Sequence, residues 1–231
     1  MLEVIGGGNR MTQAYYKDDW VTIYNEDFRN AEWLVSDKAY LITDPPYGIK
    51  YNPHWLADRN LVAGKPLSKI DCLVTGDDGS LDLSILFDFP RRLIWGFPYI
   101  YDSKATGWLI WDKQPGLDTR GLVTPVEMAA TTLWTGFRMV RAMWGGYYKD
   151  NNEKRYEHPT QKPLKVFLQP IADYTKLNDL VIDPFLGSGT CAVAAKKLNR
   201  RFIGYEIEEK YCEIAANRCR QSAMVLEEVI G

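Results

Sequence analysis

Histidine and cysteine are scarce in this sequence, with two histidines and four cysteines among 231 residues. The cysteines stand at positions 72, 191, 212 and 219, and no two of them form a Cys-x-x-Cys pair. Structural zinc sites need closely spaced cysteine and histidine ligands. The sequence therefore predicts no metal site, and thiols that stay reduced.

Long apolar runs are also absent, and no stretch is long enough to cross a bilayer. The first residues, Met1 to Gly6, lack the charged and apolar regions of a secretory signal. We therefore expect a cytoplasmic protein without a membrane partner.

The sequence has no excess of positive charge, because its formal net charge is −2. Phosphate contacts require a local density of lysine and arginine. A nucleic-acid partner would have to bind at a local basic patch. The length of 231 residues fits one large domain over residues 1–231.

The most informative stretch present is Asp44-Pro45-Pro46-Tyr47, which follows the apolar run at 39–43. The two prolines fix the backbone and end the strand before them. A carboxylate, a fixed carbonyl and an aromatic ring on one stiff loop suit a planar substrate that bears an NH₂ group. A Pro-rich turn with a capping aspartate is the alternative interpretation.

A second centre is the strand at 180–182, which leads into Asp183-Pro184-Phe185-Leu186-Gly187-Ser188-Gly189-Thr190. A helix, a further strand and then Glu206 follow. This order is typical of a nucleoside-cofactor site, in which the acidic residue accepts hydrogen bonds from ribose hydroxyls. The loop lacks the third glycine of the Gly-x-Gly-x-x-Gly dinucleotide motif. The sequence therefore favours a nucleoside cofactor over one that binds through a pyrophosphate.

Strand-like and helix-like segments alternate along the chain. The predicted strands cover residues 20–24, 39–43, 92–95, 108–111, 127–134, 180–182 and 201–205. The predicted helices cover residues 29–38, 163–174, 190–198 and 208–221. This alternation predicts an α/β fold with a doubly wound, mostly parallel sheet.

Three stretches fall outside this pattern. Residues 1–19 are expected to form a flexible start. Residues 48–82 are irregular and carry cations among aromatics, which fits a substrate-contacting loop or a plain surface connection. Residues 135–157 also mix basic with aromatic side chains, as in a nucleic-acid surface or a solvated charge run.

With these motifs, the chain resembles the S-adenosylmethionine-dependent DNA amino-methyltransferases, which act on adenine N6 or cytosine N4. The resemblance rests on Asp44-Pro45-Pro46-Tyr47, on the loop at 183–190, and on His158-Pro159-Thr160-Gln161-Lys162-Pro163. Asp27-Phe28 resembles a further adenine-contact pair. The catalytic motif precedes the cofactor motif, as in the circularly permuted β class.

The resemblance implies a Rossmann-like methyltransferase fold, S-adenosylmethionine as cofactor and double-stranded DNA as partner. It implies a catalytic role for Asp44, Pro45, Pro46 and Tyr47. The cofactor-binding residues that it implies are Asp27, Phe28, His158, Thr160, Lys162, Asp183, Phe185, Gly187, Ser188, Gly189, Thr190 and Glu206. Residues 48–82 become an active-site loop region, and 114–157 a short target-recognition region whose small size favours a homodimer.

The chemistry explains these residue types. An exocyclic amine is a poor nucleophile because its lone pair is delocalised into the ring. Asp44 and the Pro45 carbonyl can accept its two N–H groups and aim the lone pair at a sulfonium methyl. Methylation at cytosine C5 would need a cysteine nucleophile, and no Pro-Cys dipeptide occurs. The target base must be flipped out of the duplex, where Tyr47 can stack on it.

Adenine N6 is the expected acceptor. In the family, Asp at the first motif position accompanies adenine more often than cytosine, and the larger purine offers Tyr47 more area. Cytosine N4 is the main alternative, and an RNA amino-methyltransferase is a further one. A nicotinamide oxidoreductase would leave the Asp44 loop unexplained, and a non-catalytic partner subunit would be expected to lose it.

Overall fold

A nine-stranded sheet forms the centre of the protein. The computed structural model describes residues 3–5, 13–31, 33–35, 38–50, 74–79, 81–116, 125–145, 148–149 and 153–230. The strands are β1 (Glu3–Ile5), β2 (Tyr16–Lys17), β3 (Val21–Asn25), β4 (Trp33–Val35), β5 (Ala39–Thr43), β6 (Arg92–Phe97), β7 (Gly107–Asp112), β8 (Val126–Thr131), β9 (Gly136–Arg141), β10 (Trp144–Gly145), β11 (Tyr148–Lys149), β12 (Leu180–Asp183) and β13 (Arg201–Glu206). The helices are α1 (Lys165–Tyr174), α2 (Thr190–Lys197) and α3 (Glu209–Ile230), with short 3₁₀ segments at Phe28–Asn30 and Ser84–Asp88.

The large sheet has the order β2-β3-β13-β12-β5-β6-β8-β7-β9. Strands β2 and β8 run antiparallel to their neighbours, and the other strand pairs are parallel. The predicted mostly parallel α/β sheet is therefore confirmed. Its centre joins β5, which precedes the Asp44 loop, directly to β12, which precedes the Asp183 loop.

The sheet buries apolar side chains on both faces. Every residue of β5 is buried, as expected of a central parallel strand. Alternate residues of β5 belong to two separate clusters, with Tyr40 and Ile42 in one and Leu41 in the other. Helices α1, α2 and α3 pack on the first cluster. The two 3₁₀ segments cover the second.

The helix predicted over residues 29–38 is wrong in the described part of that range. The Asp27 side chain caps only a three-residue 3₁₀ segment, and the chain then enters β4. Strand β4 pairs antiparallel with β1, which brings Trp33 opposite Ile5. The aromatic and β-branched residues of β4 favour a strand once a partner strand is present.

Part of the predicted flexible start, residues 1–19, forms regular structure. Strand β2 pairs with β3 at the sheet edge. The Asp18 carboxylate accepts the backbone N–H groups of Trp20 and Val21, and it pairs with the buried Lys196 ammonium. These contacts fix the start of β3.

Strand β9 was missed by the sequence interpretation, which described residues 135–157 as a nucleic-acid surface or a solvated charge run. It runs parallel to β7 at the edge of the sheet. Its mostly exposed residues give no alternating apolar pattern, so its pairing alone reveals the strand. Arg138 on this strand is exposed and lies over the rings of Trp134 and Tyr174.

Within the described residues, no helix has both the length and the apolar character needed to cross a membrane. Cys191, Cys212 and Cys219 are buried free thiols.

Candidate active site

Four acidic side chains lie where adjacent parallel strands end. Strands β3, β13, β12 and β5 are neighbours in that order. They are followed or ended by Asp27, Glu206, Asp183 and Asp44, respectively. Ligands of open α/β sheets bind beyond the carboxyl ends of the strands. The strand order therefore brings the catalytic and cofactor motifs of the sequence to one edge.

The Asp44 carboxylate is held by a lysine. Lys162 Nζ lies 2.6 Å from Asp44 Oδ2, and the Tyr47 hydroxyl donates to Asp44 Oδ1 at 2.8 Å. The same Nζ is 2.9 Å from the Tyr47 hydroxyl. The resemblance grouped Lys162 with the cofactor residues, whereas the structure pairs its ammonium with Asp44.

Glu127 completes this cluster and was missed by the sequence interpretation. Its Oε2 lies 3.1 Å from Lys162 Nζ and 3.3 Å from the Tyr47 hydroxyl, and its Oε1 pairs with Lys113. Strand β8 runs antiparallel, so its first residues reach the edge where the parallel strands end. Only the strand order predicts this position, because Glu127 belongs to no motif.

Burial and charge oppose each other in this cluster. Desolvation raises the pKa of Asp44, although Lys162 acts to lower it. Desolvation also acts against Glu127, but Lys162 and Lys113 outweigh it and bring the Glu127 pKa down to about 2. The two carboxylates raise the pKa of Lys162 against the effect of its own burial. The cluster thus holds a permanent cation beside an acceptor of raised basicity.

Two residues from β6 and the loop after it hold the Tyr47 ring. A Cβ on Gly96 would lie 2.6 Å from two ring carbons of Tyr47, so only glycine fits there without displacing the ring. The ring of Tyr99 stacks on Tyr47 at a centroid distance of 5.9 Å and an interplanar angle of 15°. Tyr99 is 60% exposed. Neither residue was singled out from the sequence.

The catalytic and cofactor motifs are joined by one buried hydrogen bond. The Thr43 hydroxyl donates to Asp183 Oδ1 at 2.6 Å, across the pairing of β5 with β12. The Phe185 N–H donates to the same oxygen at 3.0 Å. Burial raises the pKa of Asp183 to about 7 despite these two donors. Asp183 is 2% exposed, so its carboxylate lies just beneath this edge of the sheet.

Residues 183–190, which the resemblance assigns to the cofactor, are called the cofactor loop below. Its glycines adopt positive φ, at 51° for Gly187 and 79° for Gly189. A Cβ on Gly187 would lie 2.8 Å from Nε2 of His158, and one on Gly189 would lie 2.6 Å from the Cβ of Ala215. The resemblance placed both glycines among the cofactor-binding residues. In the structure these glycines are required by backbone conformation and by close packing of the protein itself.

Glu206 braces the same loop. Its Oε2 accepts the Gly187 N–H and its Oε1 accepts the Glu208 N–H, both at 2.9 Å. Burial raises its pKa. Each oxygen keeps a second lone pair, so the carboxylate can still accept a ribose hydroxyl.

Arg218 supports the loop from α3 and was also missed. Its Nη1 donates to the Ser188 carbonyl at 2.7 Å, to the Ser188 hydroxyl at 3.1 Å and to the Thr190 hydroxyl at 3.0 Å. The Arg218 side chain is 5% exposed. The two polar loop residues named in the sequence, Ser188 and Thr190, are therefore turned inward towards an arginine.

His158 closes one side of the loop. Its ring lies edge-on to Tyr211 at 4.5 Å, and burial is the main cause that lowers its pKa to about 4. Among the described residues, its buried Nδ1 has no hydrogen-bond partner. Thr160 lies half-buried two residues further on. A neutral imidazole with an unpaired, buried nitrogen therefore lies beside this loop.

Asp27 and Phe28 lie at the end of β3, beside the cofactor loop. The Phe28 ring packs against Phe185 with centroids 4.7 Å apart. Asp27 pairs with Arg29 at 2.5 Å, and this pair lowers the Asp27 pKa. The pair is chemically suited to contact a nucleobase, because aromatic rings stack on bases.

These residues fit S-adenosylmethionine by their chemistry. The molecule offers a cationic sulfonium, an ammonium, a ribose diol and an adenine ring. The site offers carboxylates at Asp183 and Glu206, aromatic rings at Phe28 and Phe185, and the unpaired nitrogen of His158. A set of acceptors and aromatic rings suits a cationic nucleoside better than a pyrophosphate.

The predicted loop regions are only partly described. Residues 51–73, 80, 117–124, 146–147 and 150–152 lie outside the described residues. In the described part, Asp77 Oδ1 accepts the Ile49 N–H at 3.1 Å, and the Lys50 N–H donates to the Asp77 carbonyl at 2.9 Å. The end of the region 48–82 is therefore tied back to the segment that follows Tyr47.

Comparison with known proteins gives matches of one kind. A family model described as DNA methylase matches residues 124–217. The type II methyltransferase M2.LlaDCHI of Lactococcus lactis subsp. cremoris is 41% identical, over 94% of this chain and 96% of that protein. M2.MboI of Moraxella bovis is 41% identical, over 95% of this chain and 76% of that protein. The solved structure of the PvuII cytosine-N4-specific DNA methyltransferase has the same fold, with a TM-score of 0.57 at 15% identity over 91% of this chain and 90% of that one.

Proposed function

The chain belongs to the S-adenosylmethionine-dependent DNA amino-methyltransferases, and we propose that it methylates the exocyclic N6 of a flipped-out adenine in double-stranded DNA. The observation that carries the choice of acceptor is the carboxylate of Asp44, a stronger acceptor than a hydroxyl and one whose pKa is raised. Cytosine N4 is the alternative acceptor.

Asp44 and Pro45 are the acceptors for the target amine. Each can take one N–H of the NH₂ group, which draws the lone pair out of the ring and fixes its direction. Pro45 and Pro46 keep the two acceptors rigid. Tyr47 offers its ring to the base, while its hydroxyl and Lys162 hold the Asp44 carboxylate in place. After transfer the amine carries an extra proton, and the raised basicity of Asp44 suits it to take that proton.

The bound S-adenosylmethionine supplies an electrophilic methyl group on a cationic sulfur. We propose that Asp183 and Glu206 bind its ammonium and ribose hydroxyls, that Phe28 and Phe185 hold its adenine, and that His158 contacts its polar end. Gly187, Ser188, Gly189 and Thr190 shape the wall of this site, supported by Arg218. Asp27 and Thr160 border it. We assign Lys162 to the catalytic group instead, because its Nζ lies on Asp44.

DNA contacts are proposed for the regions 48–82 and 114–157 of a single methyltransferase domain. Support comes from Arg138 and Arg155, whose guanidinium groups lie over aromatic rings. The small size of the second region supports a homodimer in which two copies share the duplex. The type II relatives support a role in restriction-modification, and DNA as substrate supports action in the cytoplasm.

The experiment uses unmethylated plasmid DNA, S-adenosylmethionine and the purified chain. The DNA is digested to nucleosides, which are resolved by mass spectrometry. We expect N6-methyladenine from the wild type and none from Asp44→Ala, whose loss of the acceptor should lower turnover more than tenfold, or about 1.4 kcal/mol. N4-methylcytosine alone would contradict the adenine assignment, and an absence of both would contradict the proposed activity. Light scattering with and without duplex tests the homodimer.

A further inference from the structure

We call Asp44, Tyr47, Lys113, Glu127 and Lys162 the catalytic cluster. Glu127 contacts three of its members, and two of these, Lys162 and Tyr47, also hold Asp44. Its Oε2 contacts Lys162 Nζ at 3.1 Å and the Tyr47 hydroxyl at 3.3 Å. Its Oε1 pairs with Lys113, which follows β7. The Glu127 side chain is 25% exposed and that of Lys162 is 6% exposed. This carboxylate therefore contacts Tyr47 and Lys162, although its strand, β8, is separated from β5 by β6.

The Lys162 ammonium forms ion pairs with two carboxylates, those of Asp44 and Glu127. Lys162 Nζ is 2.6 Å from Asp44 and 3.1 Å from Glu127. If Glu127 were neutral, the ammonium would be neutralised by Asp44 alone, and the Asp44 oxygens would be weaker acceptors for a second donor. The Tyr47 hydroxyl has the same choice, because its single proton can be donated to either carboxylate.

We propose that Glu127 is a positioning residue for methyl transfer, which shares Lys162 and Tyr47 with Asp44 and so keeps the Asp44 carboxylate available to the amine of the target base. This role rests on the proposed function. Lys113 weakens the influence of the Glu127 charge on Asp44, because it neutralises Glu127 from the opposite side.

The charges that surround Asp44 determine whether its pKa rises or falls when Glu127 is changed. The groups that face it or its partners are Tyr47 on its own loop, Lys162 before α1, Glu127 on β8, Lys113 after β7 and Asp183 on β12. The charge of Glu127 raises the pKa of Asp44 and that of Lys162 lowers it. Methyl transfer needs Asp44 ionised, so the rate should fall as the pH drops through the Asp44 pKa.

The first test measures single-turnover methylation of plasmid DNA from pH 5 to pH 9 for wild type and Glu127→Gln. In the variant the Asp44 pKa falls, so the acidic limb of the profile should move to lower pH. The plateau rate should drop about tenfold, because the acceptor is weaker. Glu127→Asp should restore part of both, and the affinity for S-adenosylmethionine should be unchanged. Glu213→Gln, an exposed site on α3, is the charge-matched control.

The second test removes the cation on the other side. Lys113→Gln leaves Glu127 without its neutralising partner, which increases the negative charge near Asp44, so the acidic limb should move to higher pH. This variant decides the question if Glu127→Gln does not fold, as judged by circular dichroism. A profile that stays in place in the folded variants, or that moves in the same direction in both, would overturn the role of Glu127. A wild type without methylation would instead overturn the proposed function.

Discussion

Replacing Lys162 by methionine is the most informative perturbation of the catalytic cluster. Methionine keeps the unbranched shape of the side chain and removes the ammonium. Asp44 and Glu127 then face each other through the Tyr47 hydroxyl, with only Lys113 as a counter-charge. The variant therefore separates the charge of Lys162 from its volume.

The size of the effect follows from burial. Removing one partner of a buried ion pair costs about 3–5 kcal/mol. The side chains of Asp44 and Glu127 are 19% and 25% exposed, so solvent screens their charges and makes this cost smaller. We expect a decrease of about 2–4 kcal/mol in the free energy of unfolding at pH 8.

The loss of stability caused by Lys162→Met should change with pH, because the substitution changes the pKa of Asp44. Without Lys162 the folded-state pKa of Asp44 rises further above its unfolded value, because the largest cause that lowers it is gone. A carboxyl with a raised folded pKa stabilises the protein at low pH, and this stability is lost as the pH rises through that pKa. The stability gap between wild type and variant should thus be smaller at pH 5 than at pH 8.

Urea unfolding at both pH values measures the gap, and the methylation rate over the same range measures the acidic limb. The limb should move to higher pH, and turnover at pH 7.5 should fall at least tenfold, or about 1.4 kcal/mol, because the Asp44 carboxylate loses the ammonium that holds it in place. Lys165→Met, at the exposed first residue of α1, is the matched control. An equal loss of stability at pH 5 and pH 8 would refute the reasoning, as would an acidic limb that does not move.

Two further substitutions test the supports of the site. Gly96→Ala places a Cβ 2.6 Å from the Tyr47 ring at a φ of 104°, so we expect about 2–4 kcal/mol of destabilisation, measured by urea unfolding, and a slower methyl transfer at unchanged cofactor affinity. Unaltered kinetics would show that the ring position is unimportant. Arg218→Met leaves the buried oxygens of Ser188 without their donor, so calorimetry should show S-adenosylmethionine binding weakened about tenfold or more. Arg220→Met on the exposed side of α3 should bind normally, and equal binding by both variants would contradict the bracing role.

The sequence alone determined those features that depend on near neighbours. The prolines after Asp44 end a strand, and the apolar runs before Asp44 and Asp183 form the buried strands β5 and β12. The Gly-x-Gly pattern at 187–189 marks the turn between β12 and α2, where both glycines have positive φ. Local rules sufficed here because backbone sterics and strand burial act over a few residues.

The tertiary structure decided which of these segments meet. The pairing of β5 with β12 brings Thr43 to Asp183, 140 residues apart in the chain. The reversed direction of β8 brings Glu127 to Lys162, and the packing of α3 brings Arg218 to the cofactor loop. Residue spacing carries no information on strand order or direction. These partners therefore follow only from long-range pairing and packing, which no local pattern encodes.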